Sequence, residues 1–172
     1  MLFRSVHFML GPATVALAIP LYANRHVVMR AIPPMLGALA VGGTVALVSA
    51  VVIAQALGVP KDVLISLAPK SVIGAVGMAV AESMGGDPAL TAVLVISTGI
   101  IGAIIVTPLF NLTGVTDMRA RGFAAGIAAH GIGTARAFQV SAMAGTFSGI
   151  GMGLNAILTP ILVPVLLPLL VK

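Results

Sequence analysis

Residues 35–57 read MLGALAVGGTVALVSAVVIAQAL, a stretch without a single charged side chain. At ~1.5 Å per residue, a helix of that length crosses the ~30 Å hydrocarbon layer of a bilayer. The rest of the chain agrees with it. Hydrophobic residues fill 59% of the 172 positions and charged residues 8%, where a water-wetted globular surface needs roughly 25% charged residues. Nine Lys or Arg and four Asp or Glu cannot hydrate such a surface, so it faces lipid, and soluble readings are excluded.

The net charge of +5 does not form a basic stripe interleaved with aromatics, so no nucleic-acid partner is expected. Arg25, Arg30, Arg119 and Arg121 instead occupy short gaps between apolar runs, as the positive-inside rule leads one to expect. With no cysteine, disulfides, Cys-ligated metals and thiol catalysis are excluded. Tyr22 is the one tyrosine and there is no tryptophan, which leaves orientation to charge.

Six apolar segments follow one another, and the expected fold is an all-α polytopic membrane bundle occupying residues 1–172 as a single domain. They run over residues 6–22, 35–57, 63–84, 89–112, 122–140 and 146–171. The first continues through Pro12 and Pro20 into a basic loop, so it reads as a retained span of a chain shortened at its N-terminus. The last carries Pro160, Pro164 and Pro168 on one face, which predicts a bent helix. It also carries Gly145, Gly149 and Gly153 at a spacing that lets helices approach closely. If all six segments cross, Arg4, Lys61, Arg119, Arg121 and Lys172 share one side and Arg25 and Arg30 the other, with both ends of the chain cytoplasmic.

Two segments are discontinuous, 63–84 at Pro69-Lys70-Ser71 and 122–140 at residues 130–136. A cation at mid-membrane costs roughly 2.5–3.5 kcal/mol on insertion scales, which marks Lys70 and Arg136 as functional candidates. Each lies beside a helix breaker, Pro69 in one case and Gly131 with Gly133 in the other. Freed backbone is tolerated at depth only where protein or water covers it, and half-helix N-termini favour anionic groups. Ser71 and Thr134 add hydroxyl donors, His130 a proton-coupling group or a helix–helix hydrogen bond, and Asn155 interhelical glue or a ligand. The expected site binds a carboxylate. The structural alternative is an ion pair between Arg136 and Glu82, which lies ~18 Å from Lys70 along a continuous helix.

Hydrolase triads, zinc-protease and phosphate-loop motifs and dinucleotide fingerprints do not occur, so neither enzyme chemistry nor a cofactor is expected. The turn 85–86 and its context resemble Gly145 and its context at an offset of 59 residues, which suggests a repeated helix pair. Simple parity would make the two copies parallel.

The strings LGPATVALAIPLY (10–22), APKSV (68–72), GGDPALTA (85–92), ARG (120–122), AHGIGTARA (129–137) and FSGIGMGLN (147–155) resemble the LrgB/CidB family in order along nearly the whole chain. Members usually carry a further N-terminal apolar segment. The resemblance implies a multi-pass bacterial cell-membrane protein with two functional stories. One is an antiholin-like regulator of murein hydrolase export and autolysis, acting with a small LrgA/CidA-type membrane partner and in homo-oligomers. The other is carriage of small carboxylates, as in the similar plastidial glycolate/glycerate translocators and in relatives linked to pyruvate. On the second reading Lys70, Ser71, His130, Gly131, Gly133, Thr134, Arg136 and Asn155 line the substrate site. Where relatives often read Lys-Ser-Val-Thr-Thr-Pro, this chain has Lys70-Ser71-Val72-Ile73-Gly74-Ala75, which makes that part of the site less polar.

Overall fold

Among the described residues six helices follow one another: α1 Arg25–Ala56, α2 Lys61–Leu67, α3 Gly74–Ser83, α4 Pro88–Leu112, α5 Met118–Val140 and α6 Ala142–Leu170. They belong to a computed structural model that describes residues 22–23 and 25–171; the apolar segment at residues 6–22 therefore lies almost wholly outside the described residues. Local chemistry sets the helix ends. The Asp87 carboxylate accepts the backbone N–H groups of Ala89 at 2.7 Å and Leu90 at 3.3 Å, with Pro88 in the first turn of α4, a favoured N-terminal arrangement. Asp117 and Ser141 cap α5 and α6 through the N–H groups of Arg119 and Met143. Gly85, at φ +83°, takes the left-handed conformation that ends α3.

Three helices, α1, α4 and α6, are long and apolar enough to cross a membrane. Their outward faces carry Val41, Val45, Ile53, Ile100, Ile104, Ile157 and Ile161, all exposed, as lipid-facing positions require. The chain is an α-helical membrane bundle.

The two broken segments do not cross. Gly86, just past α3, lies against Ile65 and Ser66 of α2, and Val80 of α3 packs with Leu64 and Ala68. The two helices therefore run antiparallel, and α2–α3 is a hairpin that enters and leaves at one end of the bundle. Helix α5 folds back in the same way. Its backbone leaves helical geometry at Ala129 and His130, after which Gly133 meets Ala125 and Arg136, Ala137 and Val140 share a cavity with Met118, Arg121 and Gly122. Each arm is about 10–17 Å long, half of a bilayer core.

The long helices show that the hairpins enter from opposite ends. Along α4, Thr91 bonds to Ser66 of the first hairpin, whereas Gly99 and Gly102 receive His130 and Ala129 of the second. Along α6 the order is reversed: Ala144 and Ser148 meet Gly122 and Gly126, and Leu167 meets Leu64. Helix α1 matches α6, with Met35 and Leu39 beside Phe123 and Leu47 and Val51 beside Leu64. The chain is thus built from two hairpin-then-span units, α2–α3–α4 and α5–α6, pointing in opposite directions. The parallel relation expected from parity is corrected, because a re-entrant segment does not change sides.

Charge follows the same correction. Arg25 and Arg30 of α1 lie at the same end as Arg119 and Arg121, since Arg30 and Arg119 line one cavity. Lys61 lies at the other end beside Leu167 and Val171, together with Asp62, Glu82 and Asp87 near the ends of α2, α3 and α4. Arg4 and Lys172 lie outside the described residues. Helix α6 continues through Pro160, Pro164 and Pro168, all on its exposed face. Gly145 packs on Phe138, but Gly149 and Gly153 face open space. The close approach falls to Gly122 and Gly126, where a Cβ would collide with the Ala144 and Ser148 backbone oxygens.

The chain contains no cysteine, so single cysteines report sidedness directly. Gln55→Cys and Ser83→Cys should react with an impermeant maleimide from one side, and Thr116→Cys and Gln139→Cys from the other. The positive-inside rule assigns the Thr116 side to the cytoplasm. Reaction of Ser83→Cys from the side opposite Gln55→Cys would overturn the hairpin arrangement.

Candidate functional site

The first reversal spans residues 68–73. Pro69 supplies no N–H, and the chain turns through short bonds from Lys70 N–H to Leu67 O at 3.0 Å and from Val72 N–H to Pro69 O at 3.2 Å. Helix α3 then starts at Gly74, with Ile73 before it offering no side-chain cap, which leaves its first N–H groups oriented into the reversal. Lys70 is half-buried, and its Nζ donates to Ser71 Oγ at 3.2 Å. Among the described residues the one salt bridge joins Arg119 to Asp117; Lys70 has no carboxylate partner in this set.

The second reversal rests on His130, at φ 41° and ψ −132°. A side chain in that region costs on the order of 1–3 kcal/mol and persists only where its surroundings over-determine it. Three contacts do so. His130 Nε2 lies 2.9 Å from Val95 O; a carbonyl only accepts, so the proton is on Nε2. Thr134 Oγ1 donates to His130 O at 2.8 Å. A hydroxyl has a single proton, so Ser148 Oγ must donate to Thr134 Oγ1 across 2.9 Å. Gly99 makes the room, since a Cβ there would lie 2.6 Å from His130 Cε1.

The reversals meet at α6. The Asn155 amide donates to Ser71 O at 3.1 Å and to Ile127 O at 3.2 Å, and its Oδ1 accepts from Thr159 at 3.2 Å. One side chain thus joins both hairpins to a spanning helix. Beside it a cavity lined by Gly43, Pro69, Ser71, Ile127, Asn155 and Thr159 encloses ≈ 20 Å³, room for about one water.

Of the residues expected to line the site, Ser71, His130, Thr134 and Asn155 gather at the reversals, with Lys70 beside Ser71 and Gly133 packed under the second turn against Ala125. Gly131 is exposed, with only the Met152 sulfur nearby at 3.9 Å from a Cβ position. Arg136 stands apart. It lies on the outer part of the second hairpin, donates to Gln139 Oε1 at 3.2 Å, and lines a cavity with Arg121, Thr107 and Phe110 to which Lys70 does not contribute. Glu82 is exposed at the opposite end, so the alternative Glu82–Arg136 pair does not form. Ser148 and Thr159 were not anticipated, nor was Ser66, whose Oγ accepts Asp87 N–H at 2.8 Å. Their signature is modest: a hydroxyl in an otherwise apolar run.

Electrostatics outside the membrane are simple. Asp117 binds Arg119 through side-chain contacts of 2.6–3.1 Å. Those bonds, and the Arg119 backbone N–H, hold its carboxyl at about 2, below the ordinary carboxylate range.

A model of the LrgB-like family matches residues 3–169. The chain is 40% identical to YwbG of Bacillus subtilis over 144 residues, covering 84% of this chain and 64% of that protein. It is 35% identical to YxaC of the same organism over 148 residues, covering 86% and 64%. The holin-like protein CidB of Staphylococcus aureus is 33% identical over 147 residues, with 86% and 64% covered. The chain therefore spans 64% of the length of these relatives. No solved structure matches.

Replacing Asn155 with Leu keeps the branched outline of the side chain but leaves Ser71 O and Ile127 O without their donor. Unmade hydrogen bonds of this kind cost roughly 1–3 kcal/mol, so thermal unfolding in detergent should move down by several degrees. A Leu variant that melts with the unaltered chain would show that the clamp contributes nothing.

Proposed function

The chain belongs to the LrgB-like family, and from this we propose that it forms part of a bacterial cell-membrane carrier for small monocarboxylates of the glycolate, glycerate or pyruvate class. One observation carries the reading: two re-entrant reversals from opposite ends meet at Asn155, with the uncompensated cation Lys70 beside them. Carriers commonly place substrate where discontinuous helices of opposed repeats meet. Lys70 and Ser71 supply the charge and a hydroxyl for the carboxylate, and the uncapped start of α3 adds partial positive charge. Gly131, Gly133 and Thr134 form the corresponding half-helix start in the second hairpin. His130 positions that turn through Val95.

With room for about one water, the cavity beside Asn155 is too small for a three-carbon acid. Substrate enters when the hairpins part, and Asn155 is the contact that must yield. The apolar start of α3, with Val72 buried, suits an acid whose body is small and weakly polar.

The likeness to the holin-like protein CidB of Staphylococcus aureus favours a second reading, an antiholin-like module that regulates murein hydrolase export. Both readings accommodate a small LrgA/CidA-type membrane partner and assembly with further copies. They differ in whether transport saturates.

Uptake of radiolabelled glycolate or pyruvate into proteoliposomes separates them. Saturable uptake should be found, and Lys70→Gln should raise KM roughly 10- to 100-fold, the loss of one charge-assisted bond worth ~1.5–3 kcal/mol. Non-saturating leakage of unrelated solutes, indifferent to Lys70→Gln, would leave only the holin-like reading.

A further inference from the structure

Building on the carrier reading, we propose that the carboxylate reaches the reversals from the Arg30 end, through a mouth closed by one layer of apolar side chains. The mouth is a cavity of ≈ 340 Å³ between α1, α5 and α6, with Ala31, Pro34, Ala38 and Ala120 in its walls. Arg30, Asp117 and Arg119, all exposed, line its outer end. About ten waters fit such a volume, so a three-carbon acid enters it readily. The closing layer is the cluster of Met35, Leu39, Phe123, Ile127 and Phe147.

Three helices pass mouth, layer and central cavity in the same order. On α1, Ala31 and Met35 line the mouth, Met35 and Leu39 belong to the layer, and Gly43 and Leu47 line the cavity beside Asn155. These residues recur every four positions and so form one ridge of the helix. On α5, Phe123 lies in mouth and layer, and Ile127 in layer and central cavity. On α6, Phe147 lies in mouth and layer, Ile150 and Leu154 pack against the layer, and Asn155 follows at the centre. The layer is therefore a wall common to both cavities.

That wall is thin. Phe123 and Ile127 are one helical turn apart, ~6 Å along the axis. An apolar constriction excludes water and ions until it widens. Methionine is unbranched and adaptable, so rotation of Met35 and Phe123 would join the cavities while the helices keep their register, ahead of the parting at Asn155. At the Lys61 end a cavity of ≈ 350 Å³ stands against the larger cluster of nine buried residues. The Arg30 side is thus the one poised to open. Its end of the bundle carries Arg25, Arg30, Arg119 and Arg121 against Asp117 alone among the four acids, a field that draws anions in.

The cysteine-free chain allows the route to be mapped in proteoliposomes with an impermeant anionic methanethiosulfonate. Ala31→Cys and Ala38→Cys should react from the Thr116 side, and their modification should abolish saturable uptake. Whichever of glycolate and pyruvate is transported should slow reaction at Ala38→Cys several-fold. Val41→Cys, on the lipid face of the same helix, should neither react nor lose uptake. Ala46→Cys, beyond the layer, should react several-fold more slowly than Ala38→Cys from that side, and Phe123→Ala should remove most of the difference. Leu39→Ala makes the same test if the Phe123 variant does not elute as the unaltered chain does. Saturable uptake indifferent to modification at Ala31→Cys and Ala38→Cys overturns the route and leaves the carrier standing. Equal reaction of Ala38→Cys and Ala46→Cys with the layer intact overturns the gate. Uptake that does not saturate overturns the carrier reading itself, and the route with it.

Discussion

Everything at the centre of this molecule depends on one amide. Two reversals of the backbone bring carbonyl groups to the middle of a membrane, where no water stands ready to satisfy them. The Asn155 Nδ2 group reaches one carbonyl from each hairpin, while Thr159 satisfies its oxygen. Hydrogen bonds between helices in lipid contribute modestly, on average under ~1 kcal/mol. Leaving two carbonyls bare is the larger effect, and it explains why an amide side chain is placed on a spanning helix at this level.

Around that amide the packing divides in two. One apolar cluster gathers Leu47, Val51, Leu64, Val80, Val163 and Leu167; the other gathers Met35, Leu39, Phe123, Ile127 and Phe147. Each hairpin fills one cluster. The long helices α1 and α6 pass through both, their first halves serving one hairpin and their second halves the other. The polar side chains Ser71, Thr134, Ser148, Asn155 and Thr159 lie near the boundary.

Much of this was legible in the sequence. Membrane location and the helical class follow from composition, and Pro69, Gly131 and Gly133 marked both discontinuities within a few residues. Hidden were the consequences of length: a broken segment of about twenty residues reads the same whether it crosses or turns back. Only tertiary contacts distinguish the two, such as Gly86 on Ser66 or Gly133 on Ala125, and with them went the sidedness of the arginines and the opposed direction of the units. For the candidate site, Lys70, Ser71 and Asn155 could be read from residue type. Arg136 could not be placed, because its distance from the reversal depends on which way the second arm of α5 runs. Ser148 and Thr159 gave too little contrast, since isolated hydroxyls in apolar helices usually bond to their own backbone.

The boundary between the two clusters has a mechanical meaning. Interdigitated apolar side chains resist displacement from every direction, whereas a seam of directional hydrogen bonds yields along whichever axis can trade partners. The bundle is therefore stiff at its ends and compliant at its waist, and the three long helices act as rails that keep the halves registered while that waist gives.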